Sequence, residues 1–127
     1  MIADKVKETL GNSRTWVLAT AGETPNVVTT AFHEIGAGDQ LIFYQVFLNK
    51  TVENVKAGSD AAVLANPDGS MEAYQLKGKA SYTTDPELVA KGNAMAAPMG
   101  LEVKGAIVVD VDTVYVLTPG PDNGKIV

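Results

Sequence analysis

The tripeptide Asn49-Lys50-Thr51 follows directly on the apolar run Leu41-Ile-Phe-Tyr-Gln-Val-Phe-Leu48, and its residue types suit the binding of an anion. The run reads as a strand that ends at Asn49, a good helix cap, so that Lys50 and Thr51 occupy the first turn of a short helix. A lysine there faces the positive end of the helix dipole. An anion bound among the free N–H groups of that turn removes the conflict. The plainer alternative is a surface lysine, which costs about 0.3–1 kcal/mol at most.

Few other side chains offer chemistry. His33 is the only histidine and Arg14 the only arginine. A solvated histidine at a strand end is the favoured reading of His33, with stacking on a ligand or proton transfer as the alternative. Asp110 and Asp112 share one face of a strand, but a hard cation needs six or more oxygen ligands, so a solvated face is preferred to a calcium site. The chain has no cysteine, which removes thiolate catalysis, disulfides and thiolate-bound metal. With a single imidazole as well, no metal site is expected. No residue stands out as a general acid or base.

The bulk composition narrows the class further. The 127 residues are 46% hydrophobic and 20% charged, in keeping with one globular domain over residues 1–127. A formal charge of -5 with no basic stripe argues against nucleic acid or an anionic membrane as partner. No apolar run approaches the roughly 18 residues that span a bilayer, and the N-terminus lacks the apolar core of a signal peptide, so a cytoplasmic protein is expected.

The elements that must hold these groups follow from periodicity. Ile2, Val6 and Leu10 recur every fourth residue and predict a short amphipathic helix stopped by Gly11-Asn12. Strands are predicted over 15–20, 26–32, 40–48, 61–65, 71–83 and 106–117, the last as one strand or a pair. Gly78 inside the long strand predicts a bulge or a close backbone approach. A helix is predicted over 50–57 with Gly58 as its stop, and another from Pro86 to Ala97 behind an Asp85 cap. Residues 118–127, rich in proline and glycine, read as a C-terminal arm or a loose tail. Both faces of the 41–48 strand are apolar. This implies a barrel core on one side and a partner or cofactor on the other. Trp16 is expected in the core. The sum is a mainly β fold: a six- to seven-stranded antiparallel split β-barrel with short flanking helices.

This order of elements resembles the FMN-binding split barrels of the pyridoxamine 5′-phosphate oxidase-like superfamily, and especially the small FMN-binding proteins of sulfate-reducing bacteria. Val27-Val-Thr-Thr-Ala-Phe32, Leu41 to Phe47, Asn49 to Val55 and Gln75-Leu-Lys-Gly-Lys-Ala80 carry the similarity, which spans nearly the whole chain. The resemblance implies FMN as cofactor, with Thr29, Thr30 and Ala31 bordering the flavin, Tyr44, Gln45 and Val46 along the ring edge, and Asn49, Lys50 and Thr51 at the phosphate. It also implies a homodimer with the flavin at the interface, and electron transfer with a redox partner protein or a flavin-dependent oxidoreductase activity. Relatives add an arginine at the phosphate, for which Arg14 is the sole candidate, and an aromatic residue where this chain has Ala31. The end Gly124-Lys-Ile-Val127 lacks the basic residues that oxidases use for vitamin B6 phosphates, so that activity is not expected. Deazaflavin- or haem-handling on the same fold, and a cofactor-free interaction module, are the alternatives.

Overall fold

A computed structural model describes residues 2–127. Seven strands form one antiparallel sheet in the order β2-β1-β5-β6-β7-β4-β3. The strands are β1 Trp16–Ala21, β2 Pro25–Thr30, β3 His33–Ile35, β4 Gln40–Gln45, β5 Ala61–Ala65, β6 Tyr74–Thr83 and β7 Gly105–Val116. Helices α1 Asp4–Asn12, α2 Asn49–Lys56 and α3 Pro86–Ala96 flank it, and a 3₁₀ turn Ala97–Met99 follows α3. The fold is mainly β, a curled half-barrel, as the sequence predicts.

The curl follows from a short connection. β2 and β3 are the two edges of the sheet, yet only Ala31 and Phe32 lie between them. Three Cα steps reach about 11 Å at most, so the sheet must roll until its edges nearly meet. No ladder joins β2 to β3 among the described residues. That seam is the split of the barrel. The predicted strand 26–32 therefore breaks after Thr30, and the unpredicted β3 begins beyond it.

The barrel interior is filled by Leu18, Leu41, Phe43, Val63, Leu76, Ile107 and Val109, with Ile2, Val6 and Leu10 of α1 and Val52 and Val55 of α2 packed against them. Trp16 joins this core, and its indole N–H donates to the Leu10 carbonyl at 3.0 Å. Ile42 and Tyr44 project from the other face of β4, and with Val46 just beyond it they join a second cluster with Ala96 and Val103, covered by α3. The apolar outer face of β4 is thus packed by α3 of the same chain, while Phe47, beyond the strand, is 67% exposed.

Several local signals were sound. The β6–β7 register shifts between Lys77 and Gly78, and a Cβ at Gly78 would collide with the Asp110 carbonyl. The Asp85 carboxylate accepts from the Leu88 N–H at 3.3 Å, capping α3 behind Pro86. Two expectations need correction. β4 ends at Gln45, not Leu48, because its neighbour β7 begins at Gly105, the last residue available to pair with it. Asn49 is also not the cap of α2. It is the first helical residue, and Leu48 occupies the cap position without a side-chain hydrogen bond. The last ten residues fold back on β7: Tyr115 bridges to Ile126, and the Val116 N–H donates to the Lys125 carbonyl at 2.9 Å.

Candidate functional site

The seam between the sheet edges opens into a hollow of about 500 Å³. One wall is the end of β2 and the link to β3, through Val28, Thr29, Thr30, Ala31 and Phe32. Tyr44 of β4 lines it as well, and Phe47 to Thr51 complete the rim. Cavities of this size suit small cofactors. Of the nine residues singled out from the sequence, Thr29, Thr30, Ala31, Tyr44, Asn49, Lys50 and Thr51 line it, whereas Gln45 and Val46 do not.

The rim is built by an abrupt change of direction. β4 stops at Gln45 and α2 starts at Asn49, so three residues must turn the chain. Leu48 does so in the left-handed region at φ 45°, the one non-glycine residue there among the described residues. Such a conformation costs a leucine about 1–2 kcal/mol. Its carbonyl accepts the Val52 N–H at 2.9 Å and so opens the helix. The N–H groups of Asn49, Lys50 and Thr51 have no acceptor within α2, as at every helix start. Lys50 is exposed and makes no ion pair among the described residues. Three amides outside the helix ladder and a lysine without an ion pair among the described residues therefore lie side by side in the lining of the hollow.

Thr51 is buried, and its hydroxyl is part of a polar knot. Asn26 Nδ2 donates to Thr51 Oγ1 at 3.0 Å and to Thr20 Oγ1 at 3.3 Å, and Asn54 Nδ2 donates to Thr20 Oγ1 at 3.1 Å. This ties α2 to β1 and β2 and fixes the helix start beside the seam. Thr30 is also committed, since its hydroxyl donates to the Trp16 carbonyl across the β1–β2 ladder at 2.8 Å.

Tyr44 lines the hollow, and its partly buried hydroxyl donates to Glu34 Oε1 at 2.6 Å. Burial first, and the carboxylate second, push this phenol well above the ordinary tyrosine range. The ring is backed by α3 at Gly92, where a Cβ would come within 2.6 Å of Tyr44 Cδ1. Gln45 points elsewhere. Its Oε1 accepts from the Tyr82 hydroxyl, and its Nε2 donates to the Phe47 carbonyl at 3.2 Å. Val46 belongs to the outer cluster under α3.

His33 and Arg14 stand apart from the hollow. The His33 ring stacks on Trp16 at 3.9 Å between centroids and 14° between planes, and its Nε2–H donates to the Arg14 carbonyl at 3.2 Å. It is half-buried, not the solvated residue the sequence favoured, and that burial lowers its pKa, partly offset by the Arg14 bond. Arg14 itself reaches outward to Asp68 at 3.5 Å. Sequence reasoning did not single out Val28, Phe32, Phe47 and Leu48 as lining residues. Only Phe47 gave a signal, an aromatic residue just before a predicted cap, and here it is 67% exposed at the rim.

Among the described residues no group of three or more histidine or acidic side chains could hold a metal ion. No helix among them is long and apolar enough to cross a membrane.

Known proteins give this geometry its context. A protein of Methanocaldococcus jannaschii, MJ0282, is 34% identical over 83 residues, which is 64% of this chain. This chain covers 55% of that protein's length. HupZ of Group A Streptococcus superposes with a TM-score of 0.81 at 17% identity, over 98% of this chain and 100% of that one. An FMN-binding protein of Syntrophomonas wolfei superposes with a TM-score of 0.72 at 15% identity, over 91% and 90% of the two chains. At such identities the structural likeness is one of fold. The family described as pyridoxamine 5′-phosphate oxidase matches residues 2–118, nearly the full length, and the chain belongs to that family.

Proposed function

We propose that this protein binds FMN without a covalent bond in the hollow at the seam, as a homodimeric flavoprotein. The observation that carries the reading is the unpaired Lys50 at the free N-terminal turn of α2, set at one end of a hollow of about 500 Å³. A phosphate would lie against Lys50 and the amides of Asn49 to Thr51, where helix dipole and ammonium both favour a dianion. The isoalloxazine would run along Thr29, Thr30 and Ala31, with the Tyr44 ring against it. One lysine suits one phosphate. A deazaflavin with a longer anionic tail would want further cations, and none lines the hollow. Haem would want an axial ligand, and the single imidazole is held against Trp16.

When bound, FMN supplies one- and two-electron redox chemistry, and the chain's part is binding, orientation and access. Electron transfer to a partner protein, or reduction of an unidentified substrate, are both open to such a site. Oxidation of vitamin B6 phosphates is not proposed.

The dimer rests on the outer face of β1, β2 and β5. Val27 is 66% exposed there, and the register sets it beside Ala19, which in turn faces Ala62. Val17 and Leu64 continue the patch, and Thr29 connects it to the hollow. Isologous burial of such a patch is the commonest route to a symmetric dimer.

The test is the visible spectrum of the purified protein before and after addition of FMN and removal of the excess, with molar mass measured on the same sample. A flavin spectrum retained at about one FMN per chain, one anion site per α2 start, supports the reading. A colourless protein that releases all added FMN overturns it. A monomer at every concentration that binds FMN overturns the dimer alone.

A further inference from the structure

Gln45 is buried, yet it does not line the hollow. Both ends of its amide are engaged. Because the Tyr82 hydroxyl donates to Oε1, the Nε2 end is turned toward the Phe47 carbonyl, 3.2 Å away. Tyr82 is held in turn. Lys56 Nζ lies 4.6 Å above its ring, and Gly105 leaves room for the hydroxyl, which any Cβ there would strike.

The Phe47 carbonyl is a telling place for such a tie. It belongs to the turn between β4 and α2, immediately before left-handed Leu48. No side chain caps α2, so this turn lacks the usual device for fixing a helix start. A strained residue persists only where its surroundings over-determine it. The Gln45 amide supplies that constraint from β4, and Tyr82 anchors it from β6.

We infer that Gln45, oriented by Tyr82, is a positioning residue for the phosphate end of the site: it holds the Phe47–Leu48 turn so that Lys50 and the free amides of α2 converge on one anion. This rests on the FMN reading for the identity of the ligand. Its structural half, the hold on the turn, does not. Gln45 then acts through the turn, with its side chain away from the flavin ring.

The test compares FMN with riboflavin, which lacks only the phosphate, on the full chain and three variants. Gln45→Met keeps length and removes both bonds. Gln45→Glu still accepts from Tyr82 but, as a carboxylate, cannot donate to Phe47. Tyr82→Phe frees the amide to turn. Both Gln45 variants are expected to weaken FMN roughly tenfold while riboflavin changes less than about twofold, with Tyr82→Phe between them and the wild type. The Val52 amide, bonded to the Leu48 carbonyl, is expected to lose more hydrogen-exchange protection in both Gln45 variants than the amides of the β5–β6 ladder lose with the global change in stability.

Equal losses for FMN and riboflavin would place Gln45 on the ring and overturn the inference. So would unchanged FMN affinity with Val52 protection intact. If the wild type binds neither flavin, the FMN reading fails by itself. The Val52 amide then decides alone: lowered protection upholds the hold on the turn, and unchanged protection overturns it.

Discussion

Tyr44 and Glu34 are joined at 2.6 Å, hydroxyl to carboxylate, from neighbouring strands β4 and β3. The ring that lines the hollow is therefore clamped at its far end by an edge strand and packed closely by α3 at Gly92. In an unfolded chain the phenol would ionise near its ordinary value of about 10. In the fold it holds its proton to higher pH, so above that point the native state binds more protons than the unfolded one. Stability linked to Tyr44 is thus complete below about pH 10 and is lost as pH rises beyond it. Ultraviolet titration should find one tyrosine ionising late, and Tyr44→Phe should remove that phase. Losing the bond should cost about 1–2 kcal/mol, toward the low end for a charged acceptor because Glu34 is partly solvated.

Lys50→Ala should weaken FMN by roughly ten- to a hundredfold, the range of one charge-assisted contact, and leave riboflavin nearly unchanged. The loss should shrink as salt is raised, because the ammonium is exposed. Isothermal titration at two ionic strengths measures both effects. An FMN affinity equal to that of wild type would remove Lys50 from the phosphate site.

His33 should titrate below the ordinary histidine range, since stacking on Trp16 takes it partly out of water. The unfolded chain takes up the proton first as pH falls below about 6.5. The associated stability is therefore present above that value and lost on acidification. As the only histidine, its Hε1 proton resonance can be followed without assignment, and Trp16 fluorescence should change in the same step.

Gly78→Ala should be severely destabilising, by about 3 kcal/mol or more, because the new methyl meets the Asp110 backbone, which cannot turn aside as a side chain could. Gly92→Ala is the milder counterpart. Its methyl would press on the Tyr44 ring and on Val103, at a cost of about 1–3 kcal/mol, offset in part by better helix propensity. Urea denaturation ranks the two, and flavin affinity should fall for Gly92→Ala more than its stability loss alone explains.

Much of this molecule was legible in local pattern. The fourfold spacing of Ile2, Val6 and Leu10, the Asp85-Pro86 cap and the glycine within the long strand each refer to a few neighbouring residues, and each reappears in the structure. The lysine at the start of α2 was also readable, because helix dipole and capping act over a single turn. The remainder depended on which strand lies beside which. β4 ends where β7 can no longer pair with it, a limit that no pattern within 40–48 contains. Periodicity showed that both faces of that strand are apolar, but not that α3 covers the outer one. Nor could it tell that Gln45 turns from the hollow to hold Phe47, while its neighbour Tyr44 lines it. The sequence by itself determined most of the elements and the cation, because propensity, caps and dipoles are short-range. The tertiary structure alone decided how these residues gather, since a two-residue link drew the sheet edges together and made a hollow from segments distant in the chain.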